Sequence, residues 1–279
     1  MNTLKFAVFG NPIHHSYSPK MHHLFAQQCG IENFLYEKTL VQEEAFEQTV
    51  LDFFAQGGKG LNITVPFKLK AFNLAQHLTD RAKTAGAVNT LWMQEGSLWG
   101  DNTDGIGLVR DIQRLGIALN QKILLIGAGG ASRGAILPLI KAGCTHLHIA
   151  NRTESKAQAL IEPFLGYAST HLSASDLNHI PTETWDIIIN ASASSLANAS
   201  LPIADSIFQH AQLAYDMLYS ADAQTAFLQQ AKTAGASLCA DGLGMLVYQG
   251  AEAFQIWNKL TPNPEEVLLL LRQDLQCKK

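Results

Sequence analysis

The chain has 279 residues, 47% of them hydrophobic and 16% charged, and a formal net charge of −4. That is the balance of a soluble globular protein with core enough for two domains of ordinary size, and with no Lys/Arg run it offers no electrostatic footprint for nucleic acid. The longest aliphatic run, Val267 to Leu271, is far too short to span a bilayer, and Cys29, Cys144, Cys239 and Cys277 form no Cys-x-x-Cys pair, so free thiols in a reducing cytoplasm are expected.

Leu4 to Phe9 predicts a first strand ending at Gly10-Asn11-Pro12, and Lys5 interrupts it too early for a secretion signal. Ser18-Pro19 reads as a helix start with Ser18 as the cap and Pro19 in the first helical position. Met21, Leu24 and Phe25 then share one face before Gly30 ends the helix. Ser16 has no such structural task, and two hydroxyls converging at a strand-to-helix loop suit a carboxylate or polyhydroxylated ligand. His14, His15, His22 and His23 lack a carboxylate or thiolate to complete a metal site, so no metal is expected.

Phe34 to Val41 predicts a strand, and Glu43 to Ala55 an amphipathic helix with Phe46, Val50, Leu51, Phe53 and Phe54 on its apolar side. Leu61-Asn62-Ile63-Thr64-Val65-Pro66-Phe67-Lys68 follows. As a strand it sets Asn62 and Thr64 on one polar face and packs Leu61, Ile63 and Val65 behind them. Pro66 then starts a helix with Lys68 in its first turn, an unfavourable place for a cation because the helix dipole is positive there. A lysine so placed suits proton transfer; on this stretch alone, a plain solvated lysine like Lys70 is the alternative.

Thr79-Asp80 opens a short helix, and Ala85 to Gly100 contains a hairpin turning at Gln94-Glu95-Gly96, with Asn89 near the start of its first strand. Asp104 precedes a helix carrying Leu108, Ile112 and Leu115, where N-capping explains it as readily as chemistry does. The carboxylates around it do not have the spacing of a calcium loop.

Lys122 to Gly134 is an apolar strand, a glycine cluster and a helix-forming stretch in the order a phosphate-binding turn requires. Gly127 can make the tight turn and Gly129 and Gly130 leave room for a pyrophosphate at a helix N-terminus, while Ser132 takes the place of the usual third Gly or Ala. Cys144 to Ala150 reads as the next strand and ends in Asn151-Arg152-Thr153, without the carboxylate that holds the ribose 2′-OH of NAD. Arg152, with Lys156 close behind and the Thr153 hydroxyl, suits a 2′-phosphate, so NADP(H) is the expected cofactor. The alternative is that Asn151 or Thr153 caps the helix starting near Glu154 and Arg152 is merely solvated.

From Asn120 onward strands and helices alternate. Trp185 to Asn190, Gln212 to Met217 and Ala236 to Cys239 are strand candidates, Asp222 to Ala234 a helix, and Ala191 to Pro202 a long loop. The pattern predicts a doubly wound parallel sheet with ligands at the carboxyl ends of its strands, where Asn190, Ala191, Ser192, Met217 and Tyr219 lie. Gly242 to about Trp257 forms a helix apolar on nearly its whole circumference, with Gln249 the polar exception. Asn263-Pro264 opens a last helix through Leu275.

Seven segments together resemble the shikimate dehydrogenases in order and spacing: Ser16-x-Ser18, Asn62-x-Thr64-Val65-Pro66-Phe67-Lys68, Gly86-Ala87-Val88-Asn89-Thr90, Asn102-Thr103-Asp104-Gly105, Gly127-Ala128-Gly129-Gly130-Ala131, Asn151-Arg152-Thr153 and Gly242-x-Gly244-Met245-Leu246-x-x-Gln249. The resemblance implies an α/β protein of two domains. Residues 1–104 would be the substrate domain, 105–240 a Rossmann-type doubly wound parallel sheet for NADP, and 241–279 helices returning to the first domain, with closure shielding the reaction from water.

It further implies that Lys68 and Asp104 are the catalytic pair, Lys68 giving a proton to the carbonyl oxygen of 3-dehydroshikimate as NADPH delivers hydride, and the reverse with shikimate. Ser16 and Ser18 would hold the carboxylate, and Thr64, Asn89, Asp104, Tyr219 and Gln249 the rest of the ring. The cofactor would meet Gly127, Ala128, Gly129, Gly130 and Ala131, then Asn151, Arg152, Thr153, Glu154, Ser155 and Lys156, with Met217, Gly242 and Asp80. The setting implied is aromatic amino acid biosynthesis in the cytoplasm, by a monomer or homodimer without membrane or nucleic acid partners. Asn190-Ala191-Ser192 departs from the family's usual Asn-Ala-Thr, and Lys156 stands where many NADP-specific members have a second arginine. A relative preferring quinate and NAD is the nearest alternative, and Arg152 argues against its cofactor.

Overall fold

The computed structural model describes residues 3–167, 169–192 and 200–277. The chain divides into two compact units, one of Met1–Gly107 and Val247–Leu271 and the other of Leu108–Leu246 and Arg272–Lys279. The division thus falls at 107/108, 246/247 and 271/272, against the expected domain edges of 104/105 and 240/241.

The first unit contains β1 (Leu4–Gly10), α1 (Ser18–Gln28), β2 (Phe34–Leu40), α2 (Phe46–Ala55), β3 (Gly60–Ile63), α3 (Lys68–Leu74), β4 (His77–Leu78), α4 (Asp80–Ala85), β5 (Thr90–Gln94) and β6 (Ser97–Asp101). Its sheet runs β2-β1-β3-β5-β6-β4. β1 is parallel to β2 and β3, whereas β5 is antiparallel to both β3 and β6. β1 is covered on both faces: Ala7 and Phe9 join Phe46, Val50, Ile63 and Phe67, while Phe6 and Val8 pack with Ile13 and Tyr36. This two-sided burial is why its sequence is a continuous apolar run rather than an alternating one. The β5–β6 hairpin turns on Glu95 and Gly96, both at positive φ (52° and 77°), as a two-residue turn of matching twist requires.

Three local expectations need correction. Ser18 is the first residue of α1 rather than its cap: Tyr17 holds the cap position without a side-chain bond, and the Ser18 amide donates to Ser16 Oγ at 3.3 Å. β3 stops at Ile63, so Thr64 and Val65 do not continue its alternation. The chain turns there, the Phe67 amide donating to the Thr64 carbonyl, and Val65 is left exposed while Phe67 enters the core. Leu51 is also exposed, because five residues beyond the buried Phe46 is about 140° around a helix of 3.6 residues per turn, whereas Val50 returns to the buried face.

The second unit begins within α5 (Asp104–Arg114) and contains β7 (Lys122–Ile126), α6 (Gly130–Lys141), β8 (His146–Ala150), α7 (Glu154–Ile161), β9 (His171–Ser175), β10 (Ile187–Asn190), β11 (Leu213–Asp216), α8 (Ala226–Thr233) and β12 (Leu238–Asp241). α9 (Leu243–Asn258) and α10 (Pro264–Cys277) follow. Every pairing in its sheet is parallel, in the order β12-β11-β10-β7-β8-β9. That order reverses direction between β7 and β10, the switch point at whose carboxyl edge such sheets bind ligands. Ile123 to Ile126 and Ile187 to Ile189 are buried along their whole length, the signature of a sheet covered on both faces. Asn263 Oδ1 accepts from the Glu265 amide, so it caps α10 as expected. Asp104 does not precede α5 but is its first residue, its amide donating to Asn102 Oδ1 at 3.1 Å.

Candidate active site

In the first unit, α3 and α5 each begin with a charged side chain, Lys68 and Asp104, and these meet. Lys68 Nζ donates to Asp104 Oδ2 at 2.5 Å, with the two side chains 31% and 16% exposed. The residue before Lys68 is fixed by packing: Phe67 is fully buried and stacks on Phe46 with centroids 4.6 Å apart. Truncating such a ring to Ala costs about 3–5 kcal/mol. The Lys68 carbonyl accepts from the Val88 amide at 3.0 Å, which ties the start of α3 to the segment carrying Asn89.

Asn89 is the hub. Its Nδ2 donates toward Asp104 Oδ1 (2.8 Å), Thr103 Oγ1 (3.0 Å) and Gln249 Oε1 (3.2 Å), while its Oδ1 accepts from the Thr103 amide (2.9 Å) and the Thr90 hydroxyl (2.8 Å). The donors on the carbonyl side fix which way the amide points, so its NH₂ faces the carboxylate. Asp104 is therefore held through both oxygens, by Asn89 and by Lys68. Thr103 Oγ1 also reaches Gln249 Oε1 at 3.3 Å.

The network extends to β2. Asn62 Nδ2 donates to Thr90 Oγ1 (3.3 Å) and the Asn89 carbonyl (3.2 Å), and its Oδ1 accepts from the Tyr36 hydroxyl (2.7 Å). Burial pushes the Tyr36 phenol well up, so it remains a neutral donor. Of the residues expected around a substrate, Asn89, Asp104, Lys68 and Gln249 thus belong to one hydrogen-bonded set, while Ser16 and Ser18 are joined to each other. Thr64 stands half-buried just beyond β3, against Gly10, and Asp80 opens α4 with its side chain 84% exposed, outside this set. Tyr36, Thr90 and Thr103 are members that sequence reasoning does not single out. The two threonines stand in the family-like segments beside Asn89 and Asp104, without a role given to them there.

In the second unit, Gly127 follows β7 at φ +114°, and a Cβ there would stand 3.1 Å from the Ala191 backbone beyond β10. Only glycine fits such a turn without strain. At Gly129 and Gly130 a Cβ would meet nothing within 4 Å. Gly129 caps α6 without a side-chain bond, and no acidic residue lies in the first turn. The helix start therefore presents free N–H groups and the positive end of its dipole to open space, the requirement for binding phosphate. Ala128 is half-buried, Ala131 exposed and Ser132 fully buried, its Oγ without a hydrogen-bond partner among the described residues.

After β8, Asn151 Nδ2 folds onto the Thr153 carbonyl at 2.9 Å, and Thr153 is the cap residue of α7 by position although its side chain makes no cap bond. Arg152, Thr153, Glu154, Ser155 and Lys156 are all exposed. Among the described residues no carboxylate forms an ion pair with Arg152 or Lys156, so an anion would meet no competitor.

Beyond β10 the Ser192 hydroxyl donates to Asn190 Oδ1 at 2.7 Å, and Asn190 Nδ2 donates to Asp216 Oδ1 at 3.3 Å. Residues 193 and 194 of the atypical segment lie outside the described residues. The Met217 amide donates to the Asn190 carbonyl, and Gly242 packs so closely that a Cβ on it would stand 2.1 Å from the Met217 oxygen. Tyr219 is half-buried in the loop between them.

Profiles of known families match three segments: the shikimate dehydrogenase substrate binding domain over residues 8–91, shikimate / quinate 5-dehydrogenase over 112–201, and the shikimate 5′-dehydrogenase C-terminal domain over 242–268. The chain is 46% identical over 268 residues to the shikimate dehydrogenase (NADP(+)) of Legionella pneumophila (strain Corby), covering 96% of this chain and 98% of that protein. It is 47% identical to that of Cellvibrio japonicus, covering 98% and 99%. Among solved structures it is similar to an Ael1 enzyme from Pseudomonas putida, with TM-score 0.91, 42% identity and coverage of 96% and 98%. It is similar also to the shikimate 5-dehydrogenase of Thermus thermophilus in complex with NADP(H) and shikimate, with TM-score 0.84, 32% identity and coverage of 97% and 99%. Profiles spread along the chain and relatives matched from end to end leave one conclusion: the chain belongs to the shikimate dehydrogenase family of oxidoreductases.

Proposed function

We propose that the chain catalyses the reversible reduction of 3-dehydroshikimate to shikimate with NADPH, in the cytoplasm and as a monomer or homodimer, with Lys68 as the general acid and base and Asp104 as its partner. The observation that carries this is the ammonium of Lys68 set against Asp104 in a hydrogen-bonded set with Asn89 and Gln249. It provides a proton donor and acceptors for ring hydroxyls, and Ser16 and Ser18 on the same unit offer two serine groups for a carboxylate.

The second unit fits the cofactor. The open space at Gly129 and Gly130, where a side chain would otherwise stand, admits a pyrophosphate to the α6 amides, and Arg152 and Lys156 offer exposed cations for a 2′-phosphate. NADPH, when bound, supplies the hydride equivalent. The carbonyl oxygen of the substrate becomes an alkoxide as its carbon is reduced, and Lys68 passes a proton from Nζ to that oxygen. Asp104 keeps the ammonium aimed and offsets the unfavourable dipole at the start of α3. Asn89, held from behind by Thr90 and Thr103, keeps Asp104 from rotating. In the reverse direction neutral Lys68 accepts the hydroxyl proton of shikimate. Because the Lys68 side chain is partly exposed, water restores its protonation state between turnovers.

Mixing the purified protein with shikimate and NADP⁺ tests the proposal, the expected result being growth of NADPH absorbance. Faster turnover with quinate and NAD⁺ would assign it instead to the quinate-preferring branch, and no turnover with either acid would reject it.

A further inference from the structure

At the carboxyl ends of β11 and β12 lies an ion pair that the mechanism above does not use. Asp241 closes β12 with its side chain 2% exposed. Arg272 of α10 donates to both of its oxygens, Nη1 to Oδ2 at 3.0 Å and Nη2 to Oδ1. The same Nη1 donates to the Ser220 carbonyl at 2.9 Å, while the Ser220 amide donates to Asp241 Oδ2 at 3.2 Å. One guanidinium and one carboxylate thereby hold both backbone polar groups of a single loop residue. On the other side of Tyr219, the Gly242 amide donates to the Leu218 carbonyl at 2.9 Å.

This matters because residues 217–224 include no buried side chain. No fully buried side chain anchors the loop, so its polar backbone contacts carry much of its conformation. A nearly buried carboxylate is also expensive unless its partner is well placed. The planar fork of arginine meets that need in a way the point charge of lysine does not.

We propose that Arg272 is a positioning residue: through Asp241 it fixes the Leu218–Ser220 loop, which carries Tyr219, together with the flanking Met217 and Gly242. The inference rests on the proposed function and on the roles that the family resemblance implies for these residues, Tyr219 toward the substrate and Met217 and Gly242 toward the cofactor.

The test is steady-state kinetics of the full chain with Arg272→Lys, Tyr219→Phe and a core control, Leu228→Ala, each assayed well below its melting temperature. Arg272→Lys should raise KM for shikimate about tenfold, the scale of a modest misplacement of a contact group, with kcat much less affected. Leu228→Ala, which loses core packing at a side chain that makes none of the loop's polar contacts, should lower the melting temperature and leave KM unchanged. An unchanged KM in Arg272→Lys, or an equal rise in Leu228→Ala, overturns the proposal. If Tyr219→Phe itself leaves KM for shikimate unchanged, the assignment of Tyr219 has failed, and the clamp is judged on KM for NADP⁺ alone: a rise in Arg272→Lys supports it and none overturns it. Should Arg272→Lys not fold, the double variant Asp241→Asn/Arg272→Gln, which removes both charges together, is read by the same criteria.

Discussion

Lys68 and Asp104 are each the first residue of a helix, and their charged groups meet at 2.5 Å. The position suits one of them and not the other. A carboxylate at a helix start is stabilised by the dipole and an ammonium is opposed by it, so the aspartate compensates for a lysine that the fold alone would not place there. The pair is partly buried, but the attraction is set against the opposing dipole and the lysine keeps contact with water, so the lysine adds only about 0–1 kcal/mol to stability.

Lys68→Ala is therefore expected to melt within a few degrees of the parent while kcat falls by about 10²-fold or more, the scale of a lost general acid and base. KM for shikimate should change little. Thermal melts and steady-state rates on the same preparation check both halves, and undiminished turnover would remove Lys68 from the chemistry.

Two glycines near the proposed cofactor site should respond in opposite ways to an added side chain. Gly129, at φ −94° with nothing within 4 Å of a Cβ, is expected to tolerate Val in the fold but to lose cofactor affinity, raising KM for NADP⁺ by about tenfold or more as the branched side chain fills the space before the α6 amides. Gly242→Ala is expected to destabilise by about 1–3 kcal/mol, because its Cβ would collide with the Met217 carbonyl. Urea midpoints of the two variants, set beside their KM values, would show the contrast, and a Gly129→Val protein with parental KM would place the pyrophosphate elsewhere.

Arg152 is exposed and has no carboxylate partner among the described residues, so its replacement should leave stability within about 0.5 kcal/mol. Arg152→Ala is expected to raise KM for NADPH much more than KM for NADH, since only the former carries a 2′-phosphate. Lys156, a charge without a planar fork, should retain part of the preference. Equal changes for the two nucleotides would count against the contact.

The parallel half of the molecule was legible because each of its central strands is buried on both faces and its helices are announced by cap or glycine signals. β7 and α6 follow directly from the apolar run 122–126 and the glycines after it. β9 (His171–Ser175) was not, since its side chains are His, Ser and Ala with a single Leu, and its polar face is satisfied by a ladder in which His148 bonds Ser173 and Ser175. Its polar/apolar alternation has the period of a strand, but with a single large apolar residue the signal does not stand out from a loop. Lys68 and Asp104 are named as a pair by the family resemblance, since their place near helix starts alone leaves solvation and capping open, and their meeting is long-range, 36 positions apart, resting on β3, β5 and β6 being brought into one sheet. The Arg272–Asp241 pair was invisible for the same reason, joining residues 31 apart on a helix and a strand end.

Two buried histidines give the fold a pH dependence whose sign is fixed. Burial lowers His148 to about 4 and His22 to about 3, the latter stacked on Tyr36 with ring centroids 4.4 Å apart. In the unfolded chain both take up protons as pH falls through about 6.5, but in the folded protein they stay neutral until far lower. The unfolded state then binds more protons, so stability is lost as pH drops from about 6.5 toward 4, by about 1.4 kcal/mol per pH unit for each histidine, and is recovered above it. Urea midpoints measured at about pH 7, 6, 5 and 4.5 span that window and check the slope. His22→Phe, which keeps an aromatic ring in an aromatic setting, should reduce that slope by one histidine's share, whereas a slope identical to the parent's would mean that His22 is already protonated in the native protein.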